Sequence, residues 1–532
     1  MSVASESEYL EKLHAYKQCQ LAVFAAASEL NACTRIGSLP NEVLSEIFLY
    51  FSVPPLFFKR QSLYTSNRTA KRLDLRILVT HVCRRWRAVA LRCGQLWSHI
   101  DFSPSTKSPY VRAVVERSGK CLLALSGTAM PDREAAKAFA IAMQEAARVQ
   151  HLAVAIDGPT TARYVAGTHG WRIAMPRLET YVNGQESKND QLLGFVDAPR
   201  LRTVSCNATV GEWAGLRDKT NLVDLRIPTF SGGYAACPAL PKILDVLRTL
   251  PQLERLMLGS LRRQFSTGDT PPVALPNLRS VELEGELTDT MALLAQLDFP
   301  LTATISLQPD ERYRSGEQND DWLAAPTDAF LRRLGATARA CALDRLELTL
   351  HMSNEMYLRG WAAGAAPDAV QFSVLVKMVP AYVYARLRDH FGVGTLRRLH
   401  VNNLHRRDTG VPLVALVRAC AALEELVLEQ LAGDTLLAIF ALGPGSVAPL
   451  LRLKMLSVKP YILGHKGPCQ LDRRCAKCLL FGDLACALQQ RIARGRALLR
   501  LELSDDIRNV PAECLEYLRG AARELVLVEE CS

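Results

Sequence analysis

The densest set of metal-capable side chains lies in one stretch: His465, Cys469, Cys475, Cys478 and Cys486. A tetrahedral structural zinc site usually draws its ligands from two closely spaced pairs. Here Cys475-Ala-Lys-Cys478 is the one Cys-x-x-Cys, and no second close pair accompanies it. Two readings stay open, a zinc-holding loop and a reduced cysteine-rich insertion; the expectation is no metal and no other cofactor, and metal analysis of the purified chain separates them. Ser231–Tyr234 and Gly443–Ser446 are glycine-containing turns without the helix and lysine that cradle a phosphate. No H-E-x-x-H, G-x-S-x-G or kinase signature occurs. With 15 Cys and 10 His, loose Cys/His pairs arise by chance. No set of residues composes a reaction centre, so the chain is not expected to be an enzyme, and the chemistry to look for is burial and binding.

The composition suits a folded chain with a large core, at 532 residues, 49% hydrophobic and 22% charged. No run of about 18 apolar residues predicts a membrane span. The polar, acidic start Met1–Glu8 lacks the layout of a signal peptide. Scattered cysteines inside apolar runs, such as Cys83, Cys206 and Cys420, fit reduced thiols and a cytoplasmic or nuclear protein. The formal charge of +10 is local. Lys59, Arg60, Arg68, Lys71, Arg72, Arg76, Arg84, Arg85, Arg87 and Arg92 are opposed only by Asp74. So confined a patch predicts an acidic protein partner rather than a nucleic-acid track, and no nucleic acid is expected.

The elements around that patch are helical. Residues 6–31 have roughly helix-periodic apolar positions and read as a packing helix or short coiled coil. After Gly37 and Ser38 comes Leu39–Pro40–Asn41–Glu42–Val43–Leu44–Ser45–Glu46–Ile47–Phe48–Leu49. Pro40 suits a helix start, and Leu44, Ile47 and Phe48 fall on one face. Pro54–Pro55 stops this helix. A second helix is expected from Ile77 to Arg92, with Val79, Val82, Cys83, Trp86, Val89 and Ala90 on one side and arginines on the other. Leu96–Trp97 supplies a closing anchor. Two short helices with Phe48 and Trp86 are expected to need a partner to bury both.

The order Leu-Pro-x-Glu-Val-Leu-x-Glu-Ile-Phe, then Val82-Cys-Arg-Arg-Trp86-Arg, then Leu96-Trp97, resembles an F-box over residues 36–101. The segment between these pieces is about twenty residues longer than in a compact F-box, and surface insertions of this kind cost little entropy. The resemblance implies docking on a Skp-type adaptor, and through it on a cullin-RING ubiquitin ligase. The implied adaptor-binding residues are Leu39, Pro40, Leu44, Ile47, Phe48, Val82, Trp86, Leu96 and Trp97.

From Gly119 onward a different unit recurs, L-x-x-L-x-L. Examples are Leu178–Asn183, Leu201–Cys206, Leu222–Ile227, Leu253–Leu258, Leu278–Leu283, Leu343–Leu348, Leu396–Val401, Leu423–Leu428, Leu453–Val458 and Leu498–Leu503. Its alternation predicts a short strand with one buried face. The spacing falls mostly between the twenties and about thirty residues, with helix-like pieces such as 239–250 and 412–422 between strands. Several units open on a proline, as at Pro176, Pro199, Pro251 and Pro276. This resembles the leucine-rich-repeat arrays that follow an F-box, with insertions near 351–395 and 459–497. The expected fold class is α/β, with an N-terminal helix in 1–35, an F-box-like module in 36–101, and an irregular leucine-rich-repeat solenoid in 102–532.

The reading that follows is a substrate-receptor subunit that holds an unknown protein target through the repeats. The alternative is a non-catalytic scaffold or regulatory protein acting without ubiquitin transfer. Outward strand positions Arg255, Glu282, Arg345, Arg398, His400 and Glu425 are the candidate target contacts, and their alternating charge suits a surface of mixed charge.

Overall fold

The computed structural model describes the chain apart from residues 1–2, 53–74, 104, 128–132, 155–172, 184–192, 194–195, 207–212, 214, 229–236, 262–270, 310–323, 351–354, 367–368, 378–379, 404–409, 430–432, 441–449, 460–483, 486–487, 490, 505–511 and 529–532. The fold is mixed α/β with mostly parallel strands and an N-terminal helix. It divides into two units, Met1–Leu222 and Val223–Ser532. No helix among the described residues is long and apolar enough to cross a membrane.

The first unit opens with helices α1 (Val3–Ala32), α2 (Asn41–Ser52), α3 (Leu75–Val82) and α4 (Arg84–Arg92). The expected helix Ile77–Arg92 is therefore two helices. Cys83 adopts an extended backbone (φ −156°, ψ 169°) and its sulfur accepts the Trp86 N–H at 3.4 Å, so the thiol acts as the N-cap of α4. Pro40 sits one residue before α2, its carbonyl accepting the first helical bond from the Leu44 N–H. Strands β1 (His99–Phe102), β2 (Leu123–Gly127), β3 (Val149–Val154), β4 (Thr180–Asn183) and β5 (Thr203–Cys206) then pair in sequence order, all parallel. Helices α5 (Ser108–Arg117) and α6 (Arg133–Met143) provide the first two crossovers. Their apolar faces meet the sheet, with Phe102 edge-on to Phe139 at 5.5 Å.

The second unit begins with parallel strands β6 (Asp224–Ile227), β7 (Arg255–Leu261), β8 (Ser280–Gly285) and β9 (Thr304–Pro309). A second parallel run comprises β10 (Leu343–Leu350), β13 (Arg398–Asn403), β14 (Glu425–Glu429), β15 (Met455–Lys459), β16 (Leu498–Ser504) and β17 (Ala522–Val528). Between the runs sit β11 (Glu355–Ala362) and β12 (Phe372–Lys377), an antiparallel pair. β12 pairs with β9 and β11 with β10, so the expected insertion near 351–395 is built into the sheet rather than hung from it. Gly360 makes that possible, because a Cβ there would lie 2.3 Å from the Phe372 ring. The insertion near 459–497 falls largely outside the described residues.

The repeating sequence has a repeating hydrogen-bond account. The first leucine of most units closes a turn by donating its N–H to the carbonyl three residues earlier, as Leu178, Leu201, Leu253, Leu278, Leu423 and Leu453 all do. Before several strands one carbonyl accepts two N–H groups from the following unit. Glu254 O takes Arg279 and Ser280, Arg397 O takes Glu424 and Glu425, and Lys454 O takes Leu499 and Arg500. The proline-led phrase adds a side-chain tie where asparagine follows, with Asn277 Nδ2 on Pro251 O at 3.0 Å. Every leucine of the L-x-x-L-x-L units at 253–258 and 423–428 is at most 1% exposed. Each contributes roughly 1.5–3 kcal/mol of transfer free energy, which holds the units in register.

Candidate functional site

The helices α2, α3 and α4 form the first candidate surface. Leu44, Phe48, Leu96 and Trp97 are between 0 and 2% exposed, so they are core of this unit rather than free surface. The Phe48 and Trp86 rings lie 5.1 Å apart at 56°. Phe48 is thus buried within the chain while Trp86 stays half-buried, so these helices do not bury both aromatic side chains completely. Trp97 donates its indole N–H to Ala90 O at 2.8 Å, and the Arg117 guanidinium stacks on its ring at 4.8 Å. Leu39 and Ile47 are half-buried and Pro40 is exposed. Val82 stands out at 59% exposed.

What remains open around these residues is apolar. Val43 is 41% exposed, Tyr50 83%, Ile77 40% and Leu78 39%. Val43 and Tyr50 are seven residues apart on α2 and share a face. Ile77 and Leu78 are positions that sequence reasoning passed over, though their helical spacing was readable. α4 carries four arginines and no acid. Arg84 stacks on Phe24 of α1 at 4.7 Å. Arg87 and Arg92 are exposed and form no ion pair among the described residues. Arg85 has a different task. Its guanidinium donates to the carbonyls of Gly37 and Leu39, and to Asn41 Oδ1 at 3.1 Å from Nε and 3.0 Å from Nη2. It fixes the turn that delivers Leu39 and Pro40 to α2. A cavity of about 240 Å³ beside it is lined by Asn41, Ser45, Arg85, Ala88, Val89, Arg92 and Cys93.

The outward face of the sheet in the second unit is the other candidate. Arg255 is exposed and bonded to Asp224. Glu282 is half-buried, with Met257 and Ser306 as register partners. Arg345 stacks on Trp361 at 4.4 Å. Arg398 pairs with Glu425 at 3.5 Å. His400 Nε2 lies 3.5 Å from Glu429 Oε1, and Asn402 Nδ2 donates to Glu429 Oε2 at 2.8 Å. Part of the predicted mixed charge is therefore neutralised between neighbouring strands, Arg398 and Glu425 being the full charge pair among the six candidates. At the strand starts, Lys454 holds the Glu424 carboxyl below its ordinary pKa. Behind the sheet, burial pushes the Cys420 thiol up to about 12, which leaves it unreactive.

One group in the first unit has the residue types of a hydrolase. Ser126 Oγ lies 2.8 Å from His99 Nε2 and donates to Asp101 Oδ1 at 2.9 Å. The serine proton is committed to the carboxylate, so the imidazole does not activate a nucleophile here. Nearby, His151 is held below the ordinary imidazole pKa by burial. His465, Cys469, Cys475, Cys478 and Cys486 lie outside the described residues, and no group able to hold a metal occurs among the described ones.

No protein-family model matches the chain, and no curated protein is similar enough to it to count as a relative. The functional reading therefore rests on the residues and their geometry.

Proposed function

We propose that the chain is a substrate-receptor subunit of a cullin-RING ubiquitin ligase. Residues 36–101 act as an F-box that docks on an acidic Skp-type adaptor, and the repeats act as a leucine-rich-repeat solenoid that selects a protein target. The observation that carries the reading is the open apolar rim of α2 and α3, namely Val43, Tyr50, Ile77, Leu78 and Val82, set beside Arg87 and Arg92 of α4, which are exposed and form no ion pair among the described residues. Apolar side chains at 39–83% exposure on neighbouring short helices are what a partner helix would cover. The adjacent positive charge would speed encounter with an acidic chain. The buried residues Leu44, Phe48, Leu96 and Trp97 then shape the docking surface from beneath, while the rim makes the contacts. Such a protein performs no chemistry; it raises the concentration of the target near the ligase.

The test is capture of a purified Skp-type adaptor by the full chain. Replacing Tyr50 and Val82 with aspartate is expected to abolish capture, because both substitutions fall on exposed positions and leave the core intact. Equal capture by the wild type and the double variant would end this account of the surface. No capture by the wild type would leave the scaffold alternative.

A further inference from the structure

We propose that Arg226 and Arg255 form an oxyanion site that reads a carboxylate or phosphate side chain of a target segment, and that Glu282 takes a basic group of the same segment. The proposal rests on the target-receptor reading of the repeats. Its centre is Asp224, the first residue of β6, whose side chain is only 4% exposed although it shares the face of Arg226. Both its oxygens are used. Arg226 donates Nε to Oδ1 and Nη2 to Oδ2, each at 2.9 Å, and Arg255 donates Nε to Oδ2 at 2.8 Å.

One carboxylate thus orders two guanidinium groups but neutralises one. The side chains of Arg226 and Arg255 are 28% and 51% exposed, so the surplus charge faces solvent. Arg226 Nη1 and both terminal nitrogens of Arg255 have no acceptor among the described residues. These are fork donors matched to a planar carboxylate or a phosphate. Their geometry is fixed before anything binds, so much of the ordering cost of recognition is already met in the free protein. Ser280 is the register partner of Arg255, and its hydroxyl makes no hydrogen bond among the described residues. It supplies a further donor beside the fork.

The neighbouring strand limits what can carry the anion. Met257 is the register partner of both Arg226 and Glu282, which places Glu282 two strands from Arg226. By the ordinary strand spacing that is roughly 10 Å. Glu282 has no cationic partner among the described residues. Asp224, Arg226, Arg255 and Glu282 together carry no net charge, so an evenly charged nucleic-acid backbone meets repulsion at Glu282 as soon as it satisfies the arginines. A peptide that presents one anionic and one basic side chain meets none. Met257 gives it an apolar floor between the two.

The test uses the full chain and three pools of short random-sequence peptides, with phosphoserine, glutamate or serine fixed at the centre. The phosphoserine or the glutamate pool is expected to be retained about tenfold better than the serine pool, as suits a charge-assisted contact. Whichever of the two leads identifies the source of the anion. Retained peptides are expected to be enriched in Lys or Arg, and Glu282→Gln to remove that enrichment while keeping the anion preference. Arg226→Gln with Arg255→Gln is expected to bring the three pools level. If that double variant melts early, Arg255→Lys alone serves, since it keeps the charge on a half-exposed residue and loses the fork; it too is expected to lower the advantage. Equal retention of all pools by the wild type, or an advantage that survives in the double variant, overturns the proposal. So does retention of single-stranded oligonucleotide in place of peptide. Adaptor capture is expected to be the same for wild type and double variant, so a failure of the ligase reading and a failure of this site register in different assays.

Discussion

Replacing Arg85 with alanine tests whether the docking surface is held from behind. Arg85 bonds three acceptors, the carbonyls of Gly37 and Leu39 and the Asn41 side chain. Hydrogen bonds from a charged donor contribute about 1.5–3 kcal/mol each when shielded, and less where water can replace them. Arg85 is half-buried and Asn41 exposed, so the shielded share comes from the two carbonyls. The expected loss is about 2–3 kcal/mol from the first unit, with the turn at 36–40 released. Thermal melting of the full chain is expected to show an earlier first transition and an unchanged second one. Adaptor capture is expected to weaken, although Arg85 need not touch the adaptor. Arg85→Lys is the sharper variant. Lysine keeps the charge but cannot reach three acceptors in one plane, so it should recover less than half of the loss. A lysine variant equal to wild type in melting and capture would show that charge alone matters, and the positioning argument would be wrong.

Asp328 gives a pH-dependent case. It lies on the helix Ala324–Ala340 and receives Arg332 from the same helix. Arg386 Nε at 2.7 Å and the Tyr382 hydroxyl at 3.4 Å reach it from the helix Pro380–His390. The bond from Arg332, aided by the charges of Arg386 and His390, holds its pKa below the ordinary aspartate value. A carboxyl with a lowered folded pKa stabilises the fold above its unfolded value of about 3.9, and the contribution fades as pH falls through the folded value. Asp328→Asn is therefore expected to lower the urea midpoint at pH 7, with the difference from wild type shrinking below about pH 4. A difference that stays constant into acid would rule out the charge as its cause. Gly360→Ala tests the inserted strand pair, because the added Cβ falls 2.3 Å from Phe372 Cε1 and 2.9 Å from Leu343 Cδ1. Overpacking of this kind costs about 1–3 kcal/mol, and an unchanged melting temperature would show that the insertion is not packed as described.

The strands were readable because L-x-x-L-x-L writes a period of two directly into the chain, and every fully apolar copy that falls on described residues is a strand. The inserted pair was less readable for a physical reason. Met356 and Leu358 alternate, as do Phe372 and Val374, but Arg359, Gly360 and the Gly/Ala/Pro-rich link between the strands read as loop. The break at Cys83 was hidden because a thiol is not among the usual capping side chains, and Val79, Val82, Cys83 and Trp86 keep helical spacing across it. The pairing of outward charges was hidden too. Alternation shows that Arg398 and Glu425 face the same way, while only the register shows that they face each other.

The same distinction decides which residues can bind. Sequence periodicity identifies the apolar face of a helix but does not say how much of it the unit itself consumes. In α2 the unit consumes Leu44 and Phe48 and leaves Val43 and Tyr50. On the outward sheet, the cross-strand pair Arg398–Glu425 consumes two charges, and among the described residues a surplus guanidinium charge stays beside Asp224, Arg345 stacks on Trp361 without an acid, and Glu282 has no cationic partner. Exposed ion pairs contribute little to stability, so the paired charges cannot be assigned a stabilising purpose from their number. They do make the stretch around Arg398 and Glu425 electrostatically quiet. A charged target would then be attracted where the pairing is incomplete, and β6–β8 is where an uncompensated guanidinium and an unmatched carboxylate lie two strands apart.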